Sequence, residues 1–263
     1  MEVIIQHTAK DASHLVAALI ARALKAKPHL VLGLATGRTM EPVYAELVRR
    51  HREEGLDFAR CRTFNLDEYI GLGPDHPGSY RRFMREQLFN HVNIDPSNTH
   101  LPDGLAANLP AECEAYERRI EACGGIDLQI LGIGSDGHIG FNEPLSALMS
   151  RTREKALTRN TRKQNAAMFG GDPEKVPPRA ITMGVGTILN SRRCILLATG
   201  KAKAEVFAKA VEGPITAMIS ATALQLHPRC TVITDEAAAR LLKGKDYYHW
   251  IFANEPEWQE FQA

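Results

Sequence analysis

The sequence predicts an α/β protein, a single domain built on a doubly wound, mostly parallel sheet with helices on both faces. Short apolar runs alternate with segments of helical period along almost the whole chain, which is the order expected of βαβ units. Runs such as residues 30–35 and 127–134 are apolar throughout, as strands covered on both faces usually are. No linker or change in composition divides residues 1–263, so we expect one domain with right-handed crossovers.

The first half of the chain alternates regularly. A helix is predicted from Asp11, a favourable N-cap, to Pro28, which cannot continue a helix. A second helix runs from Pro42, a residue suited to a first turn, to Gly55. The other predicted elements of this half are strands at 3–5, 30–35, 61–66 and 127–134 and helices at 79–92 and 111–123.

The second half is less regular, because its apolar residues follow a helical or strand period over shorter stretches. Residues 159–180 show no clear period at all. The predicted elements are strands at 193–200 and 230–235, a weaker strand at 151–158, and helices at 184–190, 201–213 and 236–243.

Composition and charge exclude several classes of protein. The 263 residues are 44% hydrophobic and 24% charged, which is close to the globular average and unlike a disordered chain. Thirty-two Lys and Arg offset 31 Asp and Glu, so the net charge of +1 creates no general field that would attract nucleic acid or an acidic membrane. We therefore expect neither as a partner, and expect any anion to be recognised locally.

The cysteines and the N-terminus indicate the compartment. Five cysteines form no CxxC pair, which favours neither a disulfide framework nor a zinc cluster. The N-terminal apolar run is too short for a signal peptide, and no stretch approaches the roughly 18 apolar residues of a membrane span. The sequence predicts a soluble, cytoplasmic protein.

Four predicted strands end in polar segments, and ligands of open α/β sheets bind at such ends. The first segment, GLATGRT (33–39), lies between a strand and a helix, where backbone N–H groups can bind a phosphate or carboxylate. It is not a Walker A loop, because its glycine spacing is too short and Arg38 stands where a lysine belongs. A plain βα turn capped by Thr36 or Thr39 is an equally good interpretation.

In the second segment, TFNLDEYIGL (63–72), two acids follow the strand directly. Neighbouring side chains of an extended chain point to opposite sides, so at most one of Asp67 and Glu68 is expected to face the crevice. A lone acid at the end of a strand is more often an N-cap or a solvated loop residue, and that interpretation stays open.

The fourth segment, TGKAKAEVF (199–207), carries Lys201 and Lys203 in the predicted first turn of a helix. Cations are disfavoured there by the helix dipole, which hints at an anionic ligand, although a solvated helix surface explains them too.

The third segment, LGIGSDGHIGFNEP (131–144), gives the strongest local signal. Its glycines match G-x-G-x-x-G, but Gly140 and Pro144 make a poor helix opening, so a dinucleotide site is disfavoured. What remains is Asp136, His138 and Glu143 within eight residues, a set suited to general acid–base chemistry. The trio could also ligate a metal, yet the spacing is not that of a typical zinc site, and we predict none.

Together these motifs resemble the glucosamine-6-phosphate deaminase (isomerising) family. The resemblance covers nearly the whole chain in order, and TFNLDEY and GHIGFNEP are its most specific parts. The matching segments are GLATGRT, TFNLDEYIGL, HPGSY (76–80), LGIGSDGHIGFNEP, SRTR (150–153), ITMGVGTIL (181–189) and GKAKAE (200–205). The sister family of 6-phosphogluconolactonases shares the fold and a GxDGH segment, but usually has an Arg where this chain has Tyr69 and lacks FNEP.

The resemblance implies conversion of glucosamine 6-phosphate and water to fructose 6-phosphate and ammonium, in N-acetylglucosamine catabolism and without a cofactor. It assigns sugar-ring opening to His138, with Asp136 and Glu143 orienting it, and proton transfer between C2 and C1 to Asp67. The phosphate would lie on the loop of Thr36, Gly37, Arg38 and Thr39, with Lys203 as the counter-charge.

The chain departs from the family pattern at three positions around the phosphate. Arg38 stands where a small residue is usual, and Met40 where a proline is usual. Family members place an arginine on the phosphate at the position of Ala167. We therefore expect Arg38 to replace that arginine, since a guanidinium can bind two phosphate oxygens. The alternative is a pocket for a related amino sugar phosphate, such as the galacto isomer, or for a sugar without phosphate.

The resemblance also implies assembly and regulation. Allosteric members bind N-acetylglucosamine 6-phosphate between the subunits of a hexamer, and Ser146, Arg153 and Lys155 match residues of that site. Ala156 replaces the usual hydroxyl residue, which weakens this expectation. The long C-terminal tail, with aromatics at 247, 248 and 250, favours a homo-oligomer, with a hexamer preferred. The rival functions are a sugar-lactone hydrolase and a sugar-phosphate sensor without turnover.

Overall fold

The computed structural model describes residues 1–261, and its centre is a parallel sheet of seven strands. Their order across the sheet is β1-β10-β9-β6-β2-β3-β5. A small antiparallel sheet, in the order β4-β8-β7, lies beside it. The strands are β1 (Glu2–Gln6), β2 (Val31–Leu34), β3 (Arg62–Asn65), β4 (Asp67–Tyr69), β5 (Thr99–His100), β6 (Leu128–Leu131), β7 (Arg153–Ala156), β8 (Arg179–Thr182), β9 (Cys194–Ala198) and β10 (Cys230–Asp235).

Helices follow most strands and cover the main sheet. The first begins at Thr8, whose side chain accepts from the Asp11 backbone while Asp11 caps in return, so the predicted cap at Asp11 lies three residues inside the helix. The helices are α1 (Ala9–Ala26), α2 (Glu41–Glu54), α3 (Tyr80–Gln87), α4 (Leu109–Ala122), α5 (Arg159–Asn165), α6 (Val185–Leu189), α7 (Ala204–Glu212), α8 (Glu236–Ala239) and α9 (Lys245–Asn254).

Burial confirms the predicted fold class, a doubly wound parallel sheet with helices around it. The central strands β2, β6 and β9 are buried at every position, because helices pack on both of their faces. Strands β9, β6, β2 and β3 are consecutive neighbours. The four polar segments predicted from the sequence therefore follow the same edge of the sheet, side by side.

Several predicted boundaries are wrong for local reasons. The strand predicted at 61–66 ends at Asn65, and Asp67 already belongs to a different sheet. The helix predicted at 201–213 starts as a 3-10 turn over Lys201–Lys203, and α7 proper begins at Ala204. The aperiodic stretch 159–180 holds α5 and two 3-10 turns, elements too short to show a period.

Within residues 1–261, the structure contains no helix both long and apolar enough to traverse a bilayer.

Candidate active site

The two acids after β3 separate as the extended backbone requires. The Glu68 carboxylate turns to the start of α3, where it accepts from Tyr80 N at 3.0 Å, Arg81 N at 3.0 Å and Ser79 Oγ at 2.8 Å. A carboxylate at a helix N-terminus satisfies donors that have no partner in the helix. Glu68 is therefore a structural cap, which leaves Asp67 as the acid of the site.

Asp67 is held in a water-poor position near the loop that carries His138. Only 6% of the residue is exposed, and burial together with the nearby Glu68 charge raises its pKa to about 8. Its register partner across the small sheet, Thr182, accepts a hydrogen bond from Phe141 N at 3.0 Å. Thr182 thus ties Asp67 to the His138 loop.

Gly140 brings the loop and Asp67 into close contact. A Cβ atom at this position would lie 2.9 Å from Thr182 Oγ1 and 3.5 Å from Asp67 Oδ2. The backbone there also has φ of +55°, which disfavours side chains. A glycine is needed because the loop passes directly over the carboxylate.

The His138 imidazole lies between two carboxylates. Its Nδ1 is 2.6 Å from Asp136 Oδ1 and 3.8 Å from Glu143 Oε2. The short contact is an ion-pair distance without hydrogen-bond alignment, so a small rotation of the ring would complete the bond. Burial acts to raise the pKa of Asp136, but the contact with His138 outweighs it and holds that pKa below its ordinary value.

Glu143 is fixed from the opposite side by Thr158, the N-cap residue of α5. Thr158 N donates to Glu143 Oε1 at 2.9 Å, and Thr158 Oγ1 donates to Oε2 at 3.4 Å. The carboxylate is buried, so these bonds replace the water it has lost. Sequence reasoning missed Thr158, although a threonine three residues before Thr161 is an N-cap signal.

The ring of His138 also packs flat against the backbone of Gly134. A Cβ at Gly134 would lie 2.4–2.7 Å from three ring atoms, so any larger residue would displace the imidazole. Gly137 N donates to Gly134 O at 3.1 Å and closes a turn whose central residues are Ser135 and Asp136. This turn sets the position of Asp136 beside the ring.

Two cationic side chains, those of Lys203 and Arg38, lie where the sequence predicts a bound anion. Lys203 Nζ donates to Ile133 O at 2.7 Å, at the end of β6. Burial lowers the pKa of Lys203, the Arg38 charge acts in the same direction, and Asp136 opposes both. Arg38 and Lys203 are thus close enough for their charges to interact, and Asp136 acts on Lys203 more strongly than Arg38 does. Lys201, the other predicted cation, lies exposed on the preceding turn.

Two buried tyrosines, which sequence reasoning missed, lie between the loop of residues 36–39 and helix α5. The Tyr80 hydroxyl donates to that of Tyr69 at 3.3 Å. Burial raises the pKa of both tyrosines, and the nearby side chains of Thr36, for Tyr80, and of Asn165, for Tyr69, act in the opposite direction. Tyr80 lies in the HPGSY segment, so the resemblance could have flagged its position, although not its contacts.

Asp136, His138 and Glu143 are the one group among residues 1–261 whose donors could hold a metal ion, with ligand atoms within 4.8 Å of one another. Both Glu143 oxygens already accept hydrogen bonds from Thr158, and one Asp136 oxygen faces the imidazole. The arrangement suits an oriented histidine better than a metal centre, whose ligands need free lone pairs.

The structure places two of the three predicted regulatory residues, Arg153 and Lys155, on the same strand. Arg153 and Lys155 share one face of β7, and Arg153 Nη1 donates to Asn142 Oδ1 at 2.9 Å. Ser146 is buried, and its hydroxyl has no partner within residues 1–261. Asn142 adjoins Glu143, so Arg153 contacts the same loop that carries the acid set.

The fold and this constellation define a class of protein: a doubly wound α/β protein with a buried acid, a histidine beside two carboxylates and two nearby cations at the carboxyl edge of its sheet. Comparison with known proteins agrees. The model of the family "Glucosamine-6-phosphate isomerases/6-phosphogluconolactonase" matches residues 5–233. The chain belongs to this family.

Similar proteins include glucosamine-6-phosphate deaminases of Arthrobacter sp. (strain FB24) and Streptomyces coelicolor, which are 52% and 50% identical over 98% of this chain and 99% of theirs. A solved structure described as a monomeric glucosamine-6-phosphate deaminase is 44% identical, with a TM-score of 0.89 over 92% of this chain and 100% of that one. A 6-phosphogluconolactonase from Trypanosoma cruzi has a TM-score of 0.73 over 92% of this chain and 97% of its own, but only 20% identity, which shows a shared fold alone.

Proposed function

We propose that the protein converts glucosamine 6-phosphate and water to fructose 6-phosphate and ammonium. The observation that carries this proposal is Asp67, a buried carboxylate with a pKa raised to about 8 beside the loop of an oriented histidine. A lactone hydrolase has no need of a second base in that position. The deaminases that share about half of the sequence over almost its full length support the same reaction.

The first chemical step is opening of the sugar ring. His138 moves the proton of the C1 hydroxyl to the ring oxygen, the C1–O5 bond breaks, and an aldehyde forms at C1. The Asp136 and Glu143 carboxylates hold the imidazole in position and stabilise its protonated form.

The second step is proton transfer between neighbouring carbons. Asp67 takes the C2 proton while the C1 oxygen gains one, which forms an enolamine, and a proton is then delivered to C1. C2 reaches the carbonyl oxidation level as an iminium ion. Water adds to it, ammonium leaves, and the ketose remains. The buried position of Asp67 favours this chemistry because a desolvated carboxylate is the stronger base.

The phosphate is bound, in this proposal, by the loop of residues 36–39 together with Arg38 and Lys203. The presence of two cations whose charges interact near this loop supports an anion there. Arg38 takes the role that an arginine at the position of Ala167 plays in the family pattern. Ala167 is exposed on the turn after α5 and has no charge to offer.

The decisive experiment is an ammonium-release assay on glucosamine 6-phosphate, galactosamine 6-phosphate, free glucosamine and 6-phosphogluconolactone. The proposal expects ammonium from the first substrate, with fructose 6-phosphate as the other product, and solvent deuterium at C1 of that ketose. Turnover should survive dialysis against a chelator. Hydrolysis of the lactone without ammonium release would replace the deaminase by its rival.

A regulatory site at Ser146, Arg153 and Lys155 is a second part of the proposal. The partnerless Ser146 hydroxyl and the contact of Arg153 with Asn142 support it, because a sugar phosphate bound there would reach the loop of Glu143. Activation by N-acetylglucosamine 6-phosphate, lost in Arg153→Ala, is the expected result. Rates independent of this effector would remove the site.

Assembly of several copies, with a hexamer preferred, is the third part. Tyr247 and Trp250 of α9 are 61% and 59% exposed, as aromatic residues of an interface are in a single chain. Light scattering at micromolar concentration tests it, and a monomer, the state described for the relative of known structure, would refute it.

A further inference from the structure

Helix α5 contacts the His138 loop at both of its ends. At the far end, the N-cap residue Thr158 holds the Glu143 carboxylate. At the other end Gln164 reaches Ser135, the residue directly before Asp136, and Asn160 of the first turn reaches the same residue. The helix therefore spans the whole segment that carries the three groups around the imidazole.

Ser135 is held by a cluster of directional bonds. Gln164 Oε1 accepts from Ser135 N at 3.2 Å, and Gln164 Nε2 donates to Ser135 Oγ. Asn160 Nδ2 donates to the same hydroxyl at 3.1 Å. One amide thus binds the backbone and the side chain of a single residue, which fixes its orientation as well as its distance.

The held residue controls the position of the acid. Ser135 and Asp136 are the central residues of the turn that Gly137 N closes on Gly134 O. Asp136 Oδ1 lies at 2.6 Å from His138 Nδ1, so a movement of the turn by a fraction of an ångström changes that contact. Loop turns without side-chain support move readily, because their tips have few neighbours.

We propose that Gln164 and Asn160 are positioning residues of the active site, which act through Ser135 to hold Asp136 against His138. They touch neither the imidazole nor the acid, and their effect passes through the turn. The inference rests on the proposed deamination for its kinetic readout, but its structural readout does not depend on any activity.

The test compares Gln164→Ala and Ser135→Ala with Lys163→Ala, an exposed substitution on the same helix. Hydrogen–deuterium exchange without substrate should be faster over residues 133–139 in the first two variants and unchanged in Lys163→Ala. Unchanged exchange in Gln164→Ala overturns the proposal, whether or not the enzyme deaminates its substrate.

Kinetics separate positioning from a general loss of structure. In Gln164→Ala we expect kcat to fall about tenfold with little change in KM, since misplaced catalytic groups cost rate rather than binding. Ser135→Thr keeps the hydroxyl and should retain most of the rate. The double variant Ser135→Ala/Gln164→Ala should lose less than the sum of the two single losses, because both variants remove the bond between Gln164 and the Ser135 hydroxyl. A rise in KM at unchanged kcat, or additive losses, would overturn the proposal.

Discussion

The hydroxyl groups of Tyr69 and Tyr80 lie 3.3 Å apart in the buried interior and join two parts of the site that are distant in sequence. On one side Tyr80 lies beside Thr36 of the loop of residues 36–39, and on the other Tyr69 lies beside Asn165 of α5. Buried hydroxyls need partners, so loss of one member affects its neighbours. The loop of residues 36–39 and helix α5 are therefore connected through the two tyrosines.

Tyr80→Phe tests this link. The change removes the hydroxyl that donates to Tyr69 and lies beside Thr36, so we expect a loss of about 1–2 kcal/mol in the free energy of unfolding. The loosened loop should also raise KM for the sugar phosphate about threefold to tenfold. Denaturant unfolding and initial rates measure both. Tyr247→Phe, on the exposed C-terminal helix, is the control, and an equal effect there would contradict the link.

Asp67→Asn should lower the rate of deamination and raise the stability of the fold. The pKa of Asp67 rises from 3.8 to about 8 on folding, so the stabilising uptake of a proton is complete below pH 4 and lost as the pH rises through 8. Asparagine needs no proton, so the variant should unfold at a higher temperature than the wild type at pH 8 and at nearly the wild-type temperature at pH 4. Deamination should fall about 100-fold to 10,000-fold.

Asp136→Asn is the matched control, because contact with His138 lowers the pKa of Asp136 instead. The Asp136 carboxylate stabilises the fold at pH values above its ordinary pKa, and this contribution is lost as the pH falls. Its replacement should therefore lower the unfolding temperature at neutral pH. A gain of stability in both variants would show that the Asp67 effect is not electrostatic.

The pH dependence of kcat/KM should report Asp67 directly. A base must be ionised to accept the C2 proton, so we expect kcat/KM to rise with pH and level off above about 8. The Glu68 charge contributes to the raised pKa, so Glu68→Gln should move this rise to lower pH. A profile flat between pH 6 and 9 would contradict the assignment of Asp67 as the base.

Arg38→Gly tests whether Arg38 supplies the phosphate contact that an arginine at the position of Ala167 makes in the family pattern. Loss of one charge-assisted contact to the phosphate should raise KM about tenfold or more at nearly constant kcat. Lys201→Ala, which removes a neighbouring exposed cation, should leave KM unchanged. Adding Ala167→Arg to Arg38→Gly should restore binding. An unchanged KM in Arg38→Gly would end the idea that this arginine holds the phosphate.

Local patterns in the sequence were sufficient for the fold class and for the chemistry of the site. The apolar runs around Leu32 and Ile130 predicted a covered parallel sheet, because strands buried on both faces leave no polar positions. The segment of Asp136, His138 and Glu143 predicted a carboxylate-oriented histidine, since those residues are close in the chain as well as in space.

Contacts between distant segments were decided only by the tertiary structure. Asp67 and Glu68 are equivalent in the sequence, and packing against the start of α3 made Glu68 a helix cap and left Asp67 as a buried acid with a raised pKa. Helix α5 gave no periodic signal over its seven residues, yet its bonds to Ser135 and Glu143 frame the site. Sequence patterns record which face of an element is buried, whereas a hydrogen bond between remote residues exists only once both elements are packed.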